Sequence, residues 1–152
     1  MSTAPAIVLT GYLAIAAVID IAKKRLPVIF LVLGVIPAAY GIISAVLSAD
    51  TGDIRTVLLA HAIGTAIGLS FLIICLMTRD KLGKADVILF TVCGATTGYE
   101  TLITLIMSAF LLSAVYAVAM LAVGKMNRKS SFAFAPFIML GYIMTEVLIH
   151  GI

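Results

Sequence analysis

Three carboxylates sit where an apolar chain should not tolerate them: Asp20, Asp86 and Glu146. Each lies inside or at the rim of a long apolar run. A charged side chain at the centre of a membrane helix costs about 2.5–3.5 kcal/mol on insertion scales, so such an acid is a functional candidate by default. Asp20 stands three residues before Lys23, about 4–5 Å inside the end of the first apolar run at the helical rise per residue. Asp86 opens the fourth run. The two are 66 positions apart, yet the order of the runs brings them to one depth at one membrane face. Two carboxylates sharing a site do not both ionise readily, and such a pair can divide acid and base roles between its members. The plain alternative is that each is an interfacial acid neutralised by nearby Lys and Arg, with Asp86 also favoured by a helix N-terminus. Glu146 lies about one turn from the far end of the last run. It is expected to snorkel, or to pair with His61. His61 and His150 are too few and too far apart for a metal centre. The expected metal and cofactor complement is none.

The elements that must position these acids follow from composition. The chain has 152 residues, of which 63% are hydrophobic and 11% charged. Soluble domains carry roughly half and about a quarter, respectively. The mean hydropathy is +1.25. A fold this small cannot bury so much apolar surface from water. These numbers exclude a soluble enzyme with an exposed cleft, a disordered chain and a disulfide-stapled module. Cys75 and Cys93 both fall in apolar runs and read as small buried hydrophobes. The opening MSTAP has neither Lys nor Arg, so the first run is expected to stay as a permanent helix rather than a cleaved signal.

A membrane helix needs about 20 apolar residues. Residues 4–22, 27–48, 56–78, 101–123 and 132–149 qualify as full spans. Residues 87–97 form a shorter one that Gly98-Tyr99-Glu100 interrupts. The expected fold is therefore an all-α, polytopic membrane bundle of six transmembrane segments, the fourth short, in a single domain over 1–152. The short segment must be sheltered by its neighbours, because lipid cannot satisfy a bare helix end. Pro37 is expected to bend the second segment. Gly64 and Gly68 form a G-x-x-x-G that suits close helix packing.

Nine cations (Lys23, Lys24, Arg25, Arg79, Lys81, Lys84, Lys125, Arg128 and Lys129) fall in alternate loops, against Arg55 alone on the other side. That bias places the basic loops, Asp20 and Asp86 in the cytoplasm and both termini outside. The net charge of +3 thus speaks of topology and anionic lipid, not nucleic acid.

Three stretches resemble signatures of the type IV prepilin peptidases, which are intramembrane aspartic proteases of the G-x-G-D type. Asp20-Ile21-Ala22-Lys23-Lys24-Arg25-Leu26-Pro27 is similar to the first, with Asp ending one helix and a Leu-Pro pair, including Pro27, starting the next. Gly83-Lys84-Ala85-Asp86 resembles G-x-G-D in a G-x-A-D variant. Phe134-Ala135-Pro136-Phe137, followed by Leu140-Gly141, looks like the family's late Pro-Phe segment. The resemblance implies Asp20 and Asp86 as the catalytic pair, with Pro27, Gly83, Ala85 and Pro136 shaping the site. It implies removal of a short basic leader, after a Gly, from prepilin-like or preflagellin-like partners at the cytoplasmic face. It also implies the short, peptidase-only type without the N-terminal methyltransferase domain, as in Tad/Flp-like pilus systems. There are departures. Val28 stands where an Asn often follows the Ile-Pro pair, and Ile88 stands where a Lys is common. Two other readings remain open at this point. One is a catalytically silent subunit of a pilus or secretion assembly. The other is a small ion-coupled transporter subunit.

Overall fold

A computed structural model describes residues 3–23, 26–49, 53–77, 83–124 and 133–150. Its elements are α1 (Thr3–Lys23), α2 (Val28–Leu33), α3 (Val35–Ser48), α4 (Ile54–Met77), α5 (Lys84–Thr97), α6 (Tyr99–Ala122) and α7 (Ala135–His150). The fold is an all-helical membrane bundle. Lipid leaves backbone groups no outside partner, so each apolar run closes its hydrogen bonds within itself. The hydroxyls obey the same rule. Thr10, Thr65, Thr91, Thr96 and Thr145 each donate to the carbonyl four residues earlier.

α2 and α3 together form one span, Val28–Ser48, broken at Gly34. Pro37 explains the position. Its nitrogen has no hydrogen for the Leu33 carbonyl, and its ring crowds that same group. The bend expected at Pro37 therefore appears one turn earlier. Gly34 also fits the contact there, since a Cβ on it would lie 2.6 Å from Val92 Cγ2 and 2.8 Å from the Tyr12 hydroxyl.

The short α5 is the centre of the bundle. All six other helices touch it, and nine of its 14 residues are buried. This is the shelter that its length requires. α4 packs on it most closely. Gly64 and Gly68 approach the backbone of Gly94 and Thr91, where an added Cβ would lie 2.5 Å from Gly94 O and from Thr91 Cα, respectively. The G-x-x-x-G is thus a packing device. α5 ends at Gly98, whose φ of 82° is a conformation that glycine adopts without strain. Gly98 N–H donates to Gly94 O, and Gly98 O accepts from Leu102 N–H. One residue therefore turns the chain at depth with its backbone satisfied. The expected three-residue break shrinks to Gly98, and Tyr99 and Glu100 belong to the first turn of α6.

Among the described residues, four spans are long and apolar enough to cross a membrane. The expectation of five full spans needs correction at the last one. α7 has 16 residues and starts at Ala135, not at 132. Pro136 sets that start, because proline fits only the first turn of a helix. The basic residues at 24–25, 79, 81, 125, 128 and 129 lie outside the described residues.

Candidate active site

Asp20 lies near the end of α1, and Asp86 lies in the first turn of α5. Both are half-buried. α1 runs along α7 and touches α5. Leu9, Leu13, Leu89, Phe90, Ile138 and Tyr142 from these three helices share one apolar core. This packing brings the two acids to the same end of the bundle, since Asp20 bonds to Ala135 and the adjacent Phe134 packs on Phe90, one turn after Asp86.

Asp20 has a specific partner. Its Oδ2 accepts a 3.1 Å hydrogen bond from the Ala135 N–H, at the start of α7. The first residues of a helix have N–H groups without intrahelical acceptors, and the helix dipole is positive there. The carboxylate meets both needs. Pro136 contributes by fixing where the helix begins. Phe134, just before it, is held by rings from three helices. Its centroid lies 6.1 Å from Phe90 in an edge-on arrangement, 5.5 Å from Phe110 and 6.3 Å from Phe137. Phe71 extends the cluster, 5.4 Å from Phe90. Later in the same stretch, Gly141 sits against the backbone of Ala109, and its carbonyl accepts from Ser108 Oγ at 3.1 Å. The third sequence stretch thus anchors α7 so that its first N–H meets Asp20.

Asp86 folds back over Gly83. A Cβ on Gly83 would lie 2.7 Å from Asp86 Oδ2. Gly83 caps α5 in an extended conformation with φ −63°, which any residue can adopt. The space for the carboxylate, rather than backbone freedom, is what the glycine supplies. Gly83→Ala is expected to displace the Asp86 carboxylate and leave the bundle stable. A displacement of about 1 Å at reacting groups can lower turnover on the order of 10²-fold. Cleavage rate and thermal unfolding of the purified variant check this together.

The remaining motif residues are less directly placed. Pro27 precedes α2, and its carbonyl accepts from Phe30 and Leu31 N–H at 3.0 and 3.2 Å. Ala85 is half-buried between Lys84 and Asp86. Ile88 is 37% exposed and faces away from the core.

His61 and Glu146 are not placed as a pair. His61 Nδ1 lies 2.9 Å from the Ala95 carbonyl, and Glu146 is half-buried on α7, one turn after Tyr142.

Two features escaped the sequence reading. One is the Ala135 N–H, whose only signal is the proline that follows. The other is Tyr12. It stacks on Phe30 with centroids 4.8 Å apart and planes 2° from parallel, and it donates to the Phe30 carbonyl at 3.3 Å. This clasp ties α1 to α2. Nothing in the spacing of the two residues announces it.

Comparison with known proteins adds one firm result. The model of the type IV leader peptidase family matches residues 7–118, well over half of the chain and inclusive of both acids. No curated protein and no solved structure matches. On the family match, the chain belongs to the type IV leader peptidase family.

Proposed function

We propose that this peptidase is an intramembrane aspartic endopeptidase that uses Asp20 and Asp86 together. It removes the short basic leader from prepilin-like or preflagellin-like substrates at the cytoplasmic membrane face. The observation that carries the reading is that Asp20, bonded to the start of α7, and Asp86, in the first turn of α5, lie at the same end of the bundle. A family match over both acids supports it.

The mechanism follows from the shared proton. One carboxylate is ionised, takes a proton from water and directs the resulting hydroxide to the scissile carbonyl carbon. The other is protonated and donates to the carbonyl oxygen as it gains charge. Collapse of the tetrahedral intermediate breaks the C–N bond, and a proton passes from the pair to the leaving amine. The base and acid roles belong to the pair rather than to either residue. The chemistry calls for neither metal nor covalent intermediate.

The position suits the substrate. The leader stays in water while the apolar stretch behind it lies in lipid. The bond between them reaches the membrane edge, where the acids stand if the nine-to-one distribution of cations sets the orientation.

The test is cleavage of a tagged leader-bearing substrate in membranes that contain this protein, read by product mass. A single cut after the leader Gly supports the reading. An uncut substrate, with the protein inserted and folded, favours a silent subunit. Glu146→Gln serves as a contrast. Glu146 lies 11 residues along α7 from Ala135, or about 16 Å at the helical rise. Cleavage by this variant is expected to stay within about twofold of wild type, since ordinary contacts away from the reacting atoms change rates little.

A further inference from the structure

A cavity of about 410 Å³ lies at the other end of the bundle, between the start of α1, α3, the start of α4 and the end of α5. It exists because α5 is short and stops below the rim. Its polar lining consists of Ser44, Ser48, Asp53, His61 and Thr97.

The hydrogens of that lining are already committed. Ser44 Oγ donates to Gly41 O at 2.9 Å, Ser48 Oγ to Ser44 O at 2.8 Å, and Thr97 Oγ1 to Cys93 O at 2.8 Å. His61 is 7% exposed, and its Nδ1 lies 2.9 Å from Ala95 O. A carbonyl only accepts, so Nδ1 carries the hydrogen. The side chains therefore present lone pairs and one carboxylate.

The helix dipoles do not reverse this. Three helices begin at or beside the cavity (α1, α4 and, just past Thr97, α6) and two end there, each terminus carrying about half a charge. The surplus of about half a positive charge is smaller than the full negative charge of Asp53. Arg55 is exposed and is not part of the lining. Among the described residues no cluster of three His, Cys, Asp or Glu could hold a metal ion. The volume falls in the range of small-molecule sites, roughly 300–1,000 Å³, and is too large for a bare ion.

We infer that this cavity binds a primary ammonium group, whose three N–H donors match the acceptor lining. The group could come from an ethanolamine lipid headgroup or from a free amine.

The test uses the whole protein in phosphatidylglycerol nanodiscs. Phosphatidylethanolamine, phosphatidylcholine or ethanolamine is added, with bound ligand read by native mass spectrometry and thermal unfolding followed in parallel. The ethanolamine form, as lipid or free amine, is expected to bind about ten-fold better than phosphatidylcholine, whose quaternary nitrogen has no N–H to donate. Asp53→Asn is expected to reduce that preference at least five-fold by removing a charged hydrogen-bond acceptor. Ala45→Phe, which fills the cavity, is expected to abolish it. Asp53 is exposed, so its variant is expected to fold even if the Phe variant does not, exposed substitutions usually changing stability by no more than about 0.5 kcal/mol. Stabilisation by free ethanolamine identifies a soluble amine as the source, and retention of the lipid alone identifies a headgroup. Equal binding of the three additives, or a preference that survives Asp53→Asn, overturns the inference.

Discussion

Asp20→Asn and Asp86→Asn are each expected to lower leader cleavage roughly 10²–10⁴-fold, the range for losing a positioned acid–base group. Neither is expected to unfold the bundle. Asn at position 20 keeps an oxygen that can accept the Ala135 N–H, the contact that Asp20 Oδ2 now makes at 3.1 Å. Asn at position 86 keeps the shape that fits over Gly83. The charge that Asp20→Asn removes from the start of α7 is worth about 0.3–1 kcal/mol, so the melting temperature is expected to change by only a few degrees. The double variant should be no slower than the worse single variant, because residues that act as a unit lose their function once. Rates on a membrane-embedded substrate, with unfolding of the same preparations, check all three statements. A variant that keeps more than about a tenth of wild-type activity would remove that acid from the mechanism, since acid–base groups contribute more than that.

Gly94→Leu is expected to have the largest effect on folding. Gly94 and Gly64 meet backbone to backbone where α5 crosses α4. A Cβ on Gly64 would lie 2.5 Å from Gly94 O, and a Cβ on Gly94 would meet Gly64 O and the Leu102 side chain. Neither helix can give way cheaply, because α5 is packed by helices on every side. Overpacking a tight core costs about 1–3 kcal/mol and sometimes more, and a branched side chain against backbone belongs at the upper end. That is a large fraction of a stability of about 5–15 kcal/mol. Little folded protein should be recovered from membranes. Gly11→Ala is the control. A Cβ there meets nothing within 4 Å, and Ala is favoured over Gly within a helix by roughly 0.5–1 kcal/mol. That variant should be at least as stable as wild type.

How far the fold could be read beforehand depends on which coordinate is asked for. Position along each helix was largely legible. Apolar run lengths located the spans, the short segment at 87–97 was expected to need shelter, and α5 is indeed the most enclosed helix. The order of the runs also suggested that Asp20 and Asp86 share one end of the bundle, where Asp20 meets the start of α7 and Asp86 opens α5. Rotation about each helix axis was not legible. In water a buried face announces itself by contrast with a polar one, but here the face turned outward is as apolar as the core. Ile7, Ile29, Leu47 and Met77 are more than 65% exposed, while Leu9 and Leu13 are fully buried. With that contrast gone, no periodicity pointed Tyr12 at Phe30 or Phe134 at Phe90. His61 and Glu146 illustrate the same limit. Similar depth suggested a pair, but His61 turns to the Ala95 carbonyl. Proline marked its consequences more locally. Pro37 displaced the bend by one turn to Gly34, and Pro136 shortened α7 and thereby supplied the N–H that meets Asp20.

The pH–rate profile of leader cleavage in membranes tests the shared-proton pair most directly. At low pH both carboxyl groups hold a proton and no base remains. At high pH both are ionised and no acid remains. The account predicts a bell-shaped profile whose two limbs belong to Asp20 and Asp86 as a unit. A rate that stays flat across the range where carboxylic acids titrate would contradict it.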